Sequence, residues 1–220
     1  EIRFGVIGLG LMGREFASAV ARWCHLLDDS LPKPVINGIC DTSDSDSRRW
    51  FLKHFPEIEV NTSDYRDLIA SNKIDAIYCA VPHNLHRQIY CDIIKAGKHL
   101  LGEKPFGIDL ESNRAILSEA QKRPELLVRC SSEFTFYPGA KRVIDWLGQK
   151  KYGRLMEVRA GFHHSSDMDL EKLINWKRTA SVNGEYGCMG DLGFHIHFIP
   201  LRMGWTINSV TADLQKIVNY

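Results

Sequence analysis

The residues best suited to do chemistry near the start of the chain are three glycines that alternate with apolar residues. The motif consists of Gly8, Leu9, Gly10, Leu11, Met12 and Gly13. In a G-x-G-x-x-G motif the first glycine allows a tight turn, the second lets backbone approach a pyrophosphate, and the third lets a helix pack closely on a strand. An apolar run precedes the motif and helical spacing follows it, as a dinucleotide site requires. The motif therefore predicts a dinucleotide site, and a glycine-rich turn without a ligand is the alternative.

A carboxylate after the second apolar run indicates which dinucleotide would bind. Asp41 directly follows the run from Val35 to Cys40. A carboxylate at that position accepts hydrogen bonds from the adenosine ribose and repels a 2′-phosphate. Arg48 and Arg49 are near enough to leave NADP as the alternative, although we expect them to form a solvated helix face. NAD is the predicted cofactor.

Two further segments with polar side chains follow later strand-like runs. The segments are Val81, Pro82, His83, Asn84, Leu85 and His86, and then Glu103, Lys104 and Pro105. In a doubly wound sheet ligands bind beyond the carboxyl ends of the strands, so both segments should face the cofactor crevice. A lysine beside a glutamate is ordinarily a surface ion pair, but its position after a strand and before a proline favours a site.

Apolar runs alternate with helical patterns through the first 131 residues. The predicted strands are 2–7, 35–40, 58–60, 76–81, 99–101 and 126–130. Such alternation requires crossover connections, which give a parallel, doubly wound sheet. The sequence therefore predicts an α/β domain that binds NAD(P) over residues 1–131.

The pattern changes after residue 131. A predicted helix at 137–147 is followed by a strand-like stretch at 154–163, an apolar segment at 189–203 and a second strand-like run at 207–218. This order predicts a partial α+β domain over residues 132–220, which serves substrate binding or oligomerisation and contains two strands.

Composition excludes several classes of protein and partner. Lys and Arg number 28 against 27 for Asp and Glu, so no basic excess suggests nucleic-acid binding. No apolar run approaches the ~20 residues of a membrane span, and no leader pattern is visible. The six cysteines form no C-x-x-C pair, and we interpret them as small core residues in a reducing compartment. We therefore expect a cytoplasmic protein.

Taken together, these motifs resemble the glucose-fructose oxidoreductase, inositol dehydrogenase and rhizopine-catabolism (Gfo/Idh/MocA) family of NAD(P)-dependent oxidoreductases. The matching segments are 8–13, 82–86, Ala96 to His99, Glu103 to Pro105 and Gly187 to His195. The resemblance implies a Rossmann domain followed by an open-faced α+β sheet, here incomplete, so that the chain looks C-terminally truncated. It also implies hydride transfer between NAD(P) and a hydroxyl or carbonyl carbon of a sugar, polyol or related small molecule. A homo-oligomer is expected if the second domain is complete.

The same resemblance implies roles for residues of both domains. Lys104 would lie beside the nicotinamide and contact substrate, with Asp191 and His195 facing it from the second domain across a cleft. Trp176 and Lys177 match a region that family members use near substrate. Oxidising an alcohol requires a base and a cation beside the developing alkoxide. His195 is the predicted acid/base, because its ordinary pKa is near neutrality, and Lys104 is the predicted cation.

The spacing of Asp191 and His195 predicts that they share one face of a helix whose first turn carries Asp191, which would orient or stabilise the pair. Two departures from the family pattern lie on the substrate side. Glu185 and Tyr186 stand where many members have glycines, and Phe198 stands where an aspartate is frequent.

Two other interpretations compete with a dehydrogenase. A metal site could draw on His163, His164, Asp191, His195 and His197. However, His195 and His197 would point about 200° apart on a helix, so no metal is predicted. A dinucleotide-binding sensor or regulator without catalytic activity could also use the same fold.

Overall fold

A computed structural model of the chain describes residues 1–26, 30–165, 168–169 and 171–215. The chain divides into two compact units, Glu1–Ser131 and Ser132–Tyr220. Among the described residues, every helix is too short or too polar to cross a membrane.

The first unit alternates strands with helices along its whole length. Its elements are β1 Ile2–Ile7, α1 Leu11–Ala21, β2 Pro34–Cys40, α2 Asp46–His54, β3 Val60–Thr62, α3 Tyr65–Ala70, β4 Ala76–Cys79, α4 His86–Lys95, β5 His99–Glu103, α5 Leu110–Gln121 and β6 Val128–Ser131. Three of the helices begin at a side-chain cap: Ser45, Asp64 and Asp109 each accept a hydrogen bond from a backbone N–H in the first turn. Such caps satisfy N–H groups that have no partner within the helix.

The six strands form one sheet in the order β3-β2-β1-β4-β5-β6, and all neighbouring pairs are parallel. The chain winds outward in one direction from β1 to β3 and in the other from β4 to β6. The point of reversal, between β1 and β4, opens a crevice at the carboxyl ends of these strands. The predicted doubly wound parallel sheet is confirmed.

The third strand differs from its prediction by two residues. Val60 is the first β3 residue and pairs with Gly38 of β2, whereas the prediction began at Ile58. Ile58 precedes the ladder and is partly buried against an apolar cluster. Burial outside the strand therefore produced the apolar signal that misplaced its start.

Two apolar clusters cover the sheet because successive strand residues point to opposite faces. Ile7, Ile77 and Leu100 pack with residues of α3, α4 and α5 in one cluster. Val6 and Tyr78 pack with residues of α1 and α2 in the other. Packing on both faces fixes the positions of the strand ends, and therefore of the loops that follow them.

The cysteines behave in two ways. Cys40 and Cys79 are buried at the ends of β2 and β4, and burial raises the pKa of Cys40 to about 11. The prediction that all six are core residues is wrong for Cys24 and Cys188, which are exposed. Both lie in short helical turns outside the sheet, where the apolar pattern carries less information about burial.

The second unit contains short helices. They are α6 Pro138–Gly148, α7 Ala180–Asn183, α8 Gly187–Asp191 and α9 Phe198–Arg202, together with several 3₁₀ turns. Within the described part of this unit no residue is in a strand, so the strand predicted at 154–163 is wrong. The strand predicted at 207–218 is absent over 207–215, and its last residues, including Val218, lie outside the described residues. An isolated extended segment leaves its backbone N–H and C=O groups to water, and a stable strand requires a paired neighbour.

Candidate functional site

The glycine motif forms a tight connection from β1 to α1. Gly8 has a φ of +88°, and a Cβ added there would lie 2.5 Å from the carbonyl oxygen of Ala80. A Cβ on Gly13 would collide with the carbonyl oxygen of Gly8. Both positions therefore require glycine, one for its left-handed backbone and close approach to the end of β4, the other for packing of α1 against the turn.

Gly10 is the glycine that faces open space. No atom lies within 4 Å of a Cβ built on it, and its φ is −66°. Leu9 is fully buried, whereas Leu11 and Met12 are exposed on the first turn of α1. Glycine at position 10 has no role in internal packing, so the open cradle fits the pyrophosphate of a dinucleotide lying at a helix N-terminus.

Asp41 lies beside this cradle. Its Oδ2 accepts a 3.0 Å hydrogen bond from the backbone N–H of Leu9, and its Oδ1 accepts from the backbone N–H and the hydroxyl of Ser43, both at 3.2 Å. The structure thus brings together two of the predicted cofactor elements, the glycine turn and the β2 carboxylate. A carboxylate has about four lone-pair sites, so capacity remains for a ribose hydroxyl.

The prediction that Arg48 and Arg49 form a solvated helix face is wrong for Arg48. Arg48 is buried, and its guanidinium donates to the carbonyl oxygens of Asp41, Ser43 and Thr62 and to the side-chain oxygen of Asn61. Arg48 therefore binds the backbone around the site instead of facing solvent.

The loop after β4 and the start of α4 place two histidines in the interior. His83 and His86 are both buried. His86 Nδ1 lies 2.8 Å from the carbonyl oxygen of Pro105, and Nε2 lies 3.0 Å from that of Val81. Burial lowers the pKa of His86, and a neutral imidazole donates one N–H. The buried, neutral ring therefore donates to one of these two carbonyl oxygens, and it lies between the segments that follow β4 and β5.

The end of β5 carries the predicted lysine. Glu103 is buried, and its Oε1 accepts a 2.7 Å hydrogen bond from the hydroxyl of Tyr78 while Oε2 accepts from the backbone N–H of Lys104 at 3.2 Å. The hydroxyl of Tyr90 donates to the carbonyl oxygen of Glu103 at 3.0 Å. Lys104 itself is half-buried, and the peptide bond that joins it to Pro105 is cis. The core tyrosines thus fix the backbone that presents Lys104.

In the second unit, Asp191 is only 2% exposed and lies between two cations. Its carboxylate oxygens are 3.8 Å from Lys177 Nζ and 3.8 Å from Arg178 Nη1. The structure therefore brings Lys177 together with Asp191, as expected if both belong to one site. Trp176 begins the 3₁₀ turn that also contains Lys177 and Arg178. Its side chain is 39% exposed, and Lys177 Nζ lies 5.6 Å from its ring centroid.

The prediction that Asp191 begins a helix is wrong. Asp191 is the last residue of α8, and a separate 3₁₀ turn, Gly193–His197, follows it. Gly190 and Gly193 flank this break and have low helix propensity. The negative end of the helix disfavours a carboxylate there, and Lys177 and Arg178 compensate. Asp191 and His195 therefore do not share the face of one continuous helix.

His195 lies in a cluster of aromatic rings. Its ring centroid is 4.4 Å from Phe134, 4.8 Å from Phe162, 4.7 Å from Phe194 and 5.6 Å from Phe198. The residue is 8% exposed. The Phe198 that departs from the family pattern is thus a packing partner of His195, and apolar rings enclose the predicted acid/base.

Sequence reasoning missed Tyr78, Tyr90 and Arg48 as residues that support the site. The two tyrosines lie in apolar patterns that indicate core, and nothing in such a pattern shows that a hydroxyl reaches a glutamate. A signal for Arg48 was available, because Ser45 as N-cap places position 48 in the first turn of α2, beside the loop after β2. Among the described residues, no three His, Cys, Asp or Glu side chains cluster as metal ligands.

Comparison with known proteins identifies a family for this chain. A sequence model described as an oxidoreductase family with an NAD-binding Rossmann fold, the Gfo/Idh/MocA family, matches residues 2–129. The match covers the glycine motif and Lys104. The predictions of a Rossmann fold and of NAD as its cofactor are confirmed at the level of the family.

Individual relatives have low sequence identity to this chain. The chain is 24% identical to levoglucosan dehydrogenase of Pseudarthrobacter phenanthrenivorans over 217 residues, 97% of this chain and 54% of the relative. It is 24% identical to trans-1,2-dihydrobenzene-1,2-diol dehydrogenase of Sus scrofa over 204 residues, 92% of this chain and 56% of the relative. The chain thus spans about half the length of these relatives.

Solved structures show the same fold. The structure of levoglucosan dehydrogenase in complex with NADH superposes with a TM-score of 0.84 at 22% identity, covering 92% of this chain and 53% of that one. At that identity the likeness concerns the fold alone.

Proposed function

The chain belongs to the Gfo/Idh/MocA family of oxidoreductases with an NAD-binding Rossmann fold, and from this premise we propose that the whole protein is an NAD-dependent dehydrogenase acting on CH–OH groups. Its substrate would be a sugar, a polyol or a related small molecule. The observation that carries the proposal is the open cradle at Gly10, with the Asp41 carboxylate hydrogen-bonded to its turn. Lys104 follows β5 of the same sheet, at the carboxyl ends of the strands where ligands bind.

The first unit would hold the cofactor. The cradle at Gly10 and the first turn of α1 would bind the pyrophosphate, and Asp41 would accept hydrogen bonds from the adenosine ribose. The segments after β4 and β5 would border the nicotinamide end. When bound, NAD supplies the acceptor for the hydride that leaves the substrate carbon.

Residues of the chain would manage the charge and the proton. Lys104 would stabilise negative charge on the substrate oxygen as its proton leaves, which is the form of electrostatic stabilisation that contributes most to many reactions. His195 would take that proton, and Asp191, held by Lys177 and Arg178, would orient substrate.

The substrate class is inferred from relatives and from one exposed side chain. Two relatives are named as dehydrogenases of levoglucosan and of a trans-diol. Trp176 offers a partly exposed aromatic face beside Lys177. An aromatic face next to charged groups suits a ring with several hydroxyl groups, because its C–H edges pack on the aromatic face while its hydroxyls bind polar groups.

The test is turnover by the full-length protein with NAD and NADP over a panel of polyols and sugars. We expect Lys104→Ala to lower kcat by about 100-fold, the scale of one lost electrostatic stabiliser, with little change in NAD affinity. Lys95→Ala, at an exposed position at the end of α4, is the matched control and should keep native kcat. NAD binding without turnover on any substrate would favour a sensor, and near-native kcat in Lys104→Ala would remove Lys104 from the mechanism.

A further inference from the structure

Arg48 has an unusual environment for an arginine on a surface helix. It is 8% exposed, and three of its guanidinium contacts are backbone carbonyl oxygens of residues at the carboxyl ends of β2 and β3. The carbonyls belong to Asp41, Ser43 and Thr62, and a fourth acceptor is the side chain of Asn61. A planar guanidinium with five donors in a fixed arrangement suits such a set, and a lysine ammonium does not.

The neighbouring Arg49 provides a contrast within the same helix. It is exposed, with 61% of its side chain accessible, and it forms ion pairs with Asp44 and Asp46. Exposed pairs of this kind contribute little to stability. The two adjacent arginines therefore differ in burial and in partners, although the sequence makes them look equivalent.

The residues that Arg48 holds are the ones that position the Asp41 carboxylate. Arg48 binds the backbone carbonyls of Asp41 and Ser43, and Ser43 in turn donates two hydrogen bonds to Asp41 Oδ1. Oδ2 is then directed to the N–H of Leu9 in the glycine turn. A continuous set of hydrogen bonds thus runs from the buried guanidinium to the dinucleotide cradle.

We propose that Arg48 is a positioning residue that sets the preference for NAD over NADP by fixing the loop 41–45 so that the Asp41 carboxylate faces the adenosine ribose. The proposal rests on the dinucleotide site of the proposed function. It assigns to Arg48 a role opposite to that expected of an arginine near this position, because its guanidinium is committed to the loop and is not presented to a 2′-phosphate.

The charges around the loop also favour NAD over NADP. The loop and the start of α2 carry Asp41, Asp44 and Asp46, and Arg49 is paired with the last two. Arg14 on α1 donates to the hydroxyl of Ser47 at 2.7 Å and is a further cation near this loop. With Arg48 in place, a 2′-phosphate would approach a fixed carboxylate. Without Arg48 the loop could move, and the carboxylate could turn away.

The experiment compares Arg48→Met with the control Arg49→Met in the full-length protein and measures dissociation constants for NAD and NADP by calorimetry. We expect Arg48→Met to raise the NAD dissociation constant about tenfold and to change that of NADP by less than about threefold, so the preference for NAD decreases. Arg49→Met should leave both constants within about twofold. Arg48→Lys, which keeps the charge without the planar arrangement of donors, should behave like Arg48→Met, and it decides the question if Arg48→Met does not fold.

Hydrogen exchange without nucleotide gives a second readout. In Arg48→Met or Arg48→Lys, backbone amides of residues 41–47 should exchange at least about tenfold faster, while those of β5 keep their native rates. A folded variant with an unchanged ratio of the two dissociation constants would overturn the proposal. If the native protein binds neither nucleotide, the proposed function fails, and the exchange rates of the loop still decide whether Arg48 holds it.

Discussion

The hydroxyl of Tyr78 on β4 donates a 2.7 Å hydrogen bond to Oε1 of Glu103 at the end of β5. Both residues are buried, and Oε2 of the same carboxylate accepts from the backbone N–H of Lys104. Glu103 therefore connects the core of the sheet to the residue on which the proposed chemistry depends. Its burial and its partners give it a supporting role, whereas Lys104 is the side chain that would act on substrate.

Removing the tyrosine hydroxyl should weaken this connection. We expect Tyr78→Phe to lower the free energy of unfolding by about 1–3 kcal/mol, because a buried carboxylate oxygen loses a donor. In the full-length protein kcat should also fall, while the NAD dissociation constant stays within about twofold. Tyr65→Phe, which removes a hydroxyl bonded to Asp92 of α4, should leave kcat unchanged. A Tyr78→Phe protein with native kcat would show that the connection does not reach Lys104.

The sheet could be predicted from sequence because its four inner strands, β2, β1, β4 and β5, are short, mostly apolar runs that are largely buried. Val6 and Ile7 on β1 face opposite apolar clusters, so periodicity and local context agree. Ser45 as N-cap indicates that Arg48 lies in the first turn of α2, but the burial of Arg48 could not be predicted, because it depends on carbonyl groups beyond β2 and at the end of β3 that come together only when these strands pair. A single buried arginine in a charged stretch has no distinguishing pattern.

In the second unit, the sequence pattern predicted secondary structure that does not form. Residues 154–163 form a strand-like stretch rich in apolar side chains, yet they form no strand in the structure, and Met156 is 78% exposed. Pairing, and not pattern, makes a strand. The sequence also did not show that the helix breaks between Asp191 and His195. An i, i+4 spacing implies a shared face only if the helix continues through Gly193.

Two glycines of the turn, Gly10 and Gly13, should respond differently to substitution. Gly10→Val should keep the native melting temperature, since no atom lies within 4 Å of the new Cβ. It should raise the NAD dissociation constant at least about tenfold by filling the pyrophosphate space. Gly13→Ala should instead lower the melting temperature, because its Cβ collides with the carbonyl of Gly8. Thermal unfolding and calorimetry on both variants provide the measurement, and unimpaired NAD binding by Gly10→Val would exclude this cradle as the cofactor site.

Charge and hydrogen bonding at Asp41 can be separated with two variants. Asp41→Asn keeps a side-chain acceptor and removes the charge, so it should bind NADP more tightly than the native protein does. Asp41→Ala also removes the acceptor for Leu9 N–H and should weaken NAD binding further. Asp44→Asn, at an exposed position on the same loop and paired with Arg49, is the control and should change both constants much less than the Asp41 variants do. A native protein that prefers NADP in calorimetry would contradict the role of Asp41.

Acid sensitivity should arise in part from an ion pair far from the cradle. Arg3 binds Asp75 in a bidentate manner, and its guanidinium lowers the pKa of Asp75 from 3.8 to about 2. A carboxyl with a lowered pKa in the folded state stabilises the protein above its unfolded pKa, and this contribution is lost as the pH falls through about 2. Because both side chains are more than a third exposed, Arg3→Met should cost about 1 kcal/mol or less at neutral pH. In urea titrations the native and variant proteins should converge between about pH 4 and pH 2, and a constant difference over that range would contradict the role of Asp75.

His195 is the proposed acid/base, but its ring is enclosed by aromatic side chains, so a role in packing alone is the alternative. If it transfers a proton, His195→Asn should lower kcat about 100-fold in the full-length protein and flatten the pH profile near neutrality. His195→Phe keeps an aromatic ring in contact with Phe134 and Phe162 but has no group that can accept or donate a proton. This variant should therefore be stable and have a kcat as low as that of His195→Asn. His197→Asn, in the same 3₁₀ turn, should keep the native profile. Native kcat in His195→Phe would show that the residue only packs, and an unchanged pH profile in His195→Asn would move proton transfer to Asp191.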